Sequence, residues 1–142
     1  AFGLVQFKKL KTNFKKREIN FNIHTKYFKK YLKYFILPKQ LPKSKSGWLA
    51  YPVTITENAP FSRTQMQIFL EKKNIQTRVV FTGNILRQPG FKNIKAKKDK
   101  NGYPEADKVM RNGILIACHH GLNKKMINHI HDSIDEFVLR YS

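Results

Sequence analysis

The sequence predicts an α+β domain in which helices cover a small, mainly antiparallel sheet, and three observations carry that expectation. Phenylalanine recurs every seven residues at positions 7, 14, 21, 28 and 35, a helical spacing that marks one apolar face. Short alternating or wholly apolar runs, Trp48 to Ile55, Ile75 to Phe81 and Ile114 to Cys118, are bounded by Pro, Gly and Asn and read as strands. Amphipathic stretches with end signals lie between and after them, at Pro60 to Lys73, Pro104 to Asn112 and Asn123 to Tyr141. The order is helix, strand, helix, strand, short helix, strand, helix, without internal repeat.

Residues 1 to 35 read as helix, with Leu4, Leu10, Ile19, Tyr27, Tyr31 and Leu32 beside the phenylalanines and lysines elsewhere. Thr12 or Asn13 can cap a fresh start, so one long helix and two consecutive helices both fit. Aromatic residues at the seven-residue positions favour packing on a sheet or a neighbouring domain over a coiled-coil seam. Pro38, Pro42 and the run Lys43 to Gly47 form a loop, since proline removes a helix donor. The strand Trp48 to Ile55 holds Pro52, which points to a sheet edge or a strand entrance.

The next helix starts at Pro60 or Ser62, turns Phe61, Met66, Phe69 and Leu70 inward and ends near Asn74. Ile75 to Phe81 is the central strand, and Gly83 to Phe91 a turn region closed by Pro89-Gly90. Lys92 to Gly102 is lysine-rich and aperiodic, hence an exposed loop. Pro104 to Asn112 buries Ala106, Val109 and Met110 and is stopped by Gly113. After the buried strand Ile114 to Cys118, Asn123 caps a helix whose inner face carries Met126, Ile127, Ile130, Ile134, Phe137 and Val138.

At 142 residues the chain is one domain by size, and folding it buries roughly 70% of the unfolded surface. Hydrophobic residues at 41% and aromatics at 13% are too many for a disordered chain. A single cysteine excludes an internal disulfide framework and fits a reducing compartment, the cytoplasm. There is no apolar run of about 18 residues and no basic-then-apolar leader, so neither a membrane span nor a signal peptide is expected. The chain opens on Ala-Phe-Gly, an uncapped apolar helix start, which leads us to expect a true beginning further upstream.

The net charge is +19, and thirteen of the 28 basic residues lie in residues 1 to 45, with Glu18 the only acid there. Such a field attracts nucleic acid in a salt-dependent way, so a basic nucleic-acid-binding module is the alternative reading. Most of these cations are lysines, the residue that occupies solvated positions at little structural cost, and no RNA-binding or helix-turn-helix signature accompanies them.

Two stretches concentrate groups suited to a ligand. Thr77 to Phe91 offers Arg78 and Arg87, planar guanidiniums fitted to bidentate contact with phosphate or carboxylate, around a Gly83-Asn84 turn that brings backbone donors close. Cys118-His119-His120-Gly121 ends a buried strand just before a helix N-terminus, where anions or sugar hydroxyls can be held. Structural histidines bonding nearby backbone fit the same residues. A metal is not expected: neighbours on an extended segment point to opposite faces, and His129 and His131, two apart on a helix, do not converge. Cys118 reads as a buried structural thiol rather than a nucleophile.

These stretches, Thr77 to Phe91 with its Thr-Gly-Asn-x-x-Arg-Gln-Pro form, Asn112 to Leu122 with Cys-His-His-Gly, and the opening Ala1 to Gln6, resemble the C-terminal part of the pyridoxal-phosphate (PLP) nucleotide-sugar aminotransferases and 3-dehydrases of DegT/DnrJ/StrS type. The resemblance covers nearly the whole chain and implies the small C-terminal domain of the aminotransferase fold. Residues 1–37 would be the interdomain helical arm, 38–47 a linker loop and 48–142 the small α+β domain, with the large PLP-binding domain upstream. It implies PLP held mainly by that domain, a homodimer, and a nucleotide-sugar substrate contacted by Arg78, Asn84, Arg87, His119 and His120, with Gln88 a lesser candidate. No catalytic residue is expected here. A Schiff-base lysine or a histidine in its place, which separates aminotransferase from dehydrase, lies outside the chain, so the 142-residue piece alone is expected to be inactive. The motif forms look closer to the 3-dehydrase branch, in pathways to deoxy or amino sugars of surface polysaccharide.

Overall fold

The first helix, α1 (Phe2–Phe28), is a single uninterrupted rod, and only its second half is seated on the rest of the protein. The computed structural model describes residues 2–97 and 99–141. No Pro or Gly interrupts the chain from Leu4 to Leu37, so nothing breaks α1 at Thr12 or Asn13. It stops at Phe28, passes through a 3-10 turn at Lys29–Tyr31 and gives way to strand β1 (Phe35–Ile36). The expected helix to residue 35 is therefore corrected. Phe28 and Phe35 share the core, their ring centroids 5.3 Å apart, although one is helical and the other extended. A seven-residue spacing registers the shared core, not one continuous element.

The sheet has four strands in the order β1-β2-β4-β3, all pairs antiparallel, formed by β1, β2 (Ala50–Ile55), β3 (Arg78–Val79) and β4 (Gly113–Ala117). Tyr51, Val53 and Ile55 of β2 and Ile114 and Ile116 of β4 are buried together with Phe21 and Phe28 of α1. Helices α2 (Arg63–Lys72) and α4 (Lys124–Leu139) complete this core through Met66, Leu70, Ile134 and Phe137. Pro52 is tolerated because β1 reaches only Thr54 and Ile55 of β2, leaving Pro52 with no strand on that side.

Local signals place the helices. Ser62 and Gln65 form a reciprocal capping box at the start of α2. Asn123 caps α4 by accepting from the Met126 amide, and Pro104 opens α3 (Pro104–Asn112). Met126, expected inward, is exposed.

The strand expected as central at Ile75 to Phe81 is much shorter and lies at the edge of the sheet, paired with β4 alone. Its entrance is tied to α2 instead, with the Ile75 amide bonded to the Leu70 carbonyl and the Thr77 amide to Glu71 Oε1 at 2.7 Å. Its exit is bent by Phe81, which has φ +46°. Only Arg78 and Val79 pair with β4, so β4 beyond Leu115 has no strand on that side.

Candidate functional site

The turn after β3 lies on α3. Gly83 has φ +62°, and a Cβ there would collide with Met110 Cβ, so glycine is required both for the backbone angle and for the close approach. Asn84 is buried; its Oδ1 accepts from the Leu86 amide at 3.1 Å and its Nδ2 donates to Asp107 Oδ1 at 2.7 Å. Arg87 grips the same carboxylate side-on, with Nε to Oδ1 at 3.1 Å and Nη2 to Oδ2 at 2.9 Å. These bonds from Arg87, then from Asn84, hold the Asp107 carboxyl below its usual range. Gln88 Nε2 closes the turn on the Thr82 carbonyl at 2.8 Å.

Arg78 and His119 meet elsewhere, on a cavity of about 560 Å3 beside the unpaired end of β4. Leu49, Leu115, Met126 and Ile130 give it apolar walls, and Asn74, Gln76 and His129 add polar groups. Arg78 Nη1 donates to the Thr77 carbonyl at 2.9 Å, and His119 Nδ1 accepts from the Gly121 amide at 3.1 Å. The latter bond puts the proton of a neutral His119 on Nε2, where it is available to a ligand. A cavity with apolar walls and a few convergent polar groups suits a small organic ligand.

His120 leaves this group. Its ring turns to α1, where Nδ1 accepts from Arg17 Nε and Nη2 at 3.3 and 3.2 Å, and burial together with the Arg17 charge lowers its pKa. The five expected residues thus fall into three places: Asn84 and Arg87 on Asp107, Arg78 and His119 at the cavity, and His120 on Arg17.

Sequence reasoning missed the seam between α1 and α4. His24 Nε2 donates to the Ala117 carbonyl at 3.1 Å, which leaves Nδ1 to accept from His131 Nε2 at 3.0 Å. Burial depresses both imidazoles, to about 4. Tyr27 stacks on His131 with ring centroids 3.7 Å apart, and its hydroxyl, the Tyr31 hydroxyl and Lys30 all bond Asp135. The signal available was His24 itself, a polar residue between Phe21 and Phe28 on the apolar stripe. Asp107 was missed too, and its membership of a chain with nine acids was the only hint.

Cys118 is buried and its thiol is pushed up to about 12 by that burial, which removes it as a nucleophile at neutral pH. Among the described residues no three His, Cys, Asp or Glu side chains converge as metal ligands. No helix of the described residues is long and apolar enough to cross a membrane.

A long helix seated on a four-stranded antiparallel sheet, with ligand-suited groups at the strand ends, matches by superposition a domain of the aminotransferase fold. It superposes on the aminotransferase from Psychrobacter cryohalolentis with a TM-score of 0.84 at 17% identity, over 98% of this chain and 38% of that one. With an E. coli GDP-4-keto-6-deoxy-D-mannose-3-dehydratase holding hydrated PLP the TM-score is 0.81 at 22% identity, over 92% and 33%. The chain belongs to the DegT/DnrJ/EryC1/StrS aminotransferase family, whose model matches residues 1–135. Among curated relatives it is 33% identical over 107 residues to a dTDP-4-dehydro-2,6-dideoxy-D-glucose 3-dehydratase of Saccharopolyspora spinosa, covering 75% of this chain and 23% of the relative. It is 27% identical over 137 residues to the lipopolysaccharide biosynthesis protein RfbH of Salmonella typhimurium, covering 96% and 31%. The chain therefore spans less than a third of either relative. Nothing in these matches supports the nucleic-acid alternative.

Among the described residues, those lining the cavity at Arg78 and His119 do not make a PLP site. The cavity at Arg78 and His119 is lined by no lysine for a Schiff base and no carboxylate to face a pyridine nitrogen.

Proposed function

We propose that this chain is the C-terminal domain of a PLP-dependent nucleotide-sugar 3-dehydratase, or of an aminotransferase of the same family, making deoxy or amino sugars for surface polysaccharide. The observation that carries the reading is the 33% identity over 107 residues to a sugar 3-dehydratase. The enzyme works as a homodimer in the cytoplasm. Residues 1–37 are its interdomain arm, 38–47 a linker and 48–142 the small domain, while PLP, an electron sink for carbanions, is bound by a large domain outside this chain.

The chain's own residues bind and orient the nucleotide-sugar. Arg78 and Arg87 take anionic oxygens, His119 and His120 offer Nε2 to sugar hydroxyls, and Asn84 shapes the turn that presents Arg87. Convergence of Arg78 and His119 on one cavity supports this division.

The test is product analysis with the enzyme expressed from its full reading frame, PLP, L-glutamate and dTDP- or GDP-linked 4-keto-6-deoxy sugars. We expect a sugar lacking its C3 oxygen. A sugar that gains an amino group at the keto carbon selects the aminotransferase, and absence of turnover with every nucleotide-sugar overturns both.

A further inference from the structure

Arg87 is only half used by the protein. Its guanidinium has five N–H donors, and the side-on grip of Asp107 occupies Nε–H and one Nη2–H. Of the remaining three, one on Nη1 and one on Nη2 lie parallel along the end-on edge and the second Nη1–H points back toward Cδ; among the described residues Nη1 has no partner. The Arg87 side chain is 62% exposed, whereas that of Asp107 is 13% exposed. The carboxylate is thus the fixed member of the pair and the guanidinium the presented one. Asp107 sits near the start of α3, its amide bonded to the Tyr103 carbonyl at 3.0 Å, where the helix end favours negative charge. A third hydrogen bond to its carboxylate, from buried Asn84, locks the turn to the same group.

We infer that Asp107 is a positioning residue for substrate: it holds Arg87 by one edge so that the other edge, two parallel N–H donors, meets the diphosphate of a nucleotide-sugar. The inference rests on the proposed function, which supplies the anionic ligand. A free arginine on a surface turn loses side-chain entropy whenever it binds; one clamped by a rigid helix has already lost it. Asp107 gives up part of the attraction between Arg87 and the ligand in exchange, so its benefit lies in orientation rather than charge.

The experiment is a double-mutant cycle on the full-length enzyme, with GDP and dTDP as probes in calorimetric titration and kcat and KM for the turned-over nucleotide-sugar as a second readout. Asp107→Asn keeps the shape and removes the charge. We expect it to weaken nucleotide binding about tenfold and to raise KM with kcat little changed, because a bidentate charged contact loses its alignment. In the Arg87→Ala background the same change should have no further effect, since nothing remains to position. An equal loss in both backgrounds, or no loss from Asp107→Asn, overturns the inference while leaving the proposed function standing. If Arg87→Ala alone binds both nucleotides as well as the unmutated enzyme, Arg87 does not touch the diphosphate and the inference falls with its role. Circular dichroism melting of each variant separates these results from misfolding, and Asp107→Glu, which keeps the charge on a longer arm, should recover part of the affinity.

Discussion

Two polar clusters in this domain look alike as lists of residues and differ in what they leave unsatisfied. At the α1–α4 seam His24, His131, Tyr27 and Asp135 are bonded to each other, to Lys30 and to backbone carbonyls, and both His24 ring nitrogens are engaged inside the protein. At the turn on α3 Asp107 and Asn84 are satisfied but Arg87 keeps an edge of donors turned to solvent. A closed network fixes geometry, and a half-open one can also meet something. Unused donors, rather than residue type, mark the groups that face a ligand.

The largest effect should come from breaking the closed cluster. His24→Ala removes the hydrogen bonds of the Ala117 carbonyl and of His131 Nε2 to that ring and opens a cavity, for a loss on the order of 3 kcal/mol in chemical denaturation. A loss under about 1 kcal/mol, the range of ordinary surface changes, would mean that the seam is not closed.

Acid should act on the same cluster. Both histidines are lowered from 6.5 to about 4 in the folded protein, so between these values the unfolded chain binds more protons. Stability conferred by the neutral pair is complete above about pH 6.5 and is lost as pH falls towards 4. Lys30 beside Asp135 adds to that loss if the pair charges, while Asp135 opposes it. A stability profile flat across this window in His24→Ala but sloped in the unmutated protein would assign the slope to the pair.

Gly83→Ala comes next. It forces a side chain into φ +62° and against Met110, at a cost of about 2 kcal/mol. Because the turn can lift from α3 without unfolding the core, hydrogen exchange at residues 83 to 88 should rise more than global stability falls. Smallest of all is Arg87→Ala, an exposed pair member, expected to leave the melting temperature within about 2 °C while weakening nucleotide binding. The closed cluster is thus expected to govern stability and the open one affinity; equal effects on both would erase the distinction.

How far the sequence announced these two clusters differs in the same way. Helices α2, α3 and α4 were legible because their caps are local: Ser62 with Gln65, Pro104, and Asn123 lie within a turn of the elements they start. Arg87 and Asn84 were visible by type and by their place in a turn. Asp107 was not, because it arrives from 20 residues away on another element. The His24–His131 contact spans 107 residues and leaves no local trace at all. The strand expected from Ile75 to Phe81 contracted to two residues because Glu71 captures Thr77 and α2 captures Ile75, contacts that alternation cannot encode. Periodicity along α1 showed which side is apolar, but not that Phe7 would remain 73% exposed while Phe21 is covered.

That uneven seating makes α1 a lever. Among the described residues, contacts begin where Phe14 meets Gly47 and Arg17 meets His120, and the dozen residues before them, roughly 17 Å of helix, carry Phe2, Leu4, Phe7 and Leu10 exposed. A tilt of about 5° at the histidine seam moves Phe2 by more than 1 Å. The pitch of this stretch is therefore set some 20 residues away, by side chains that never approach whatever Phe2 touches.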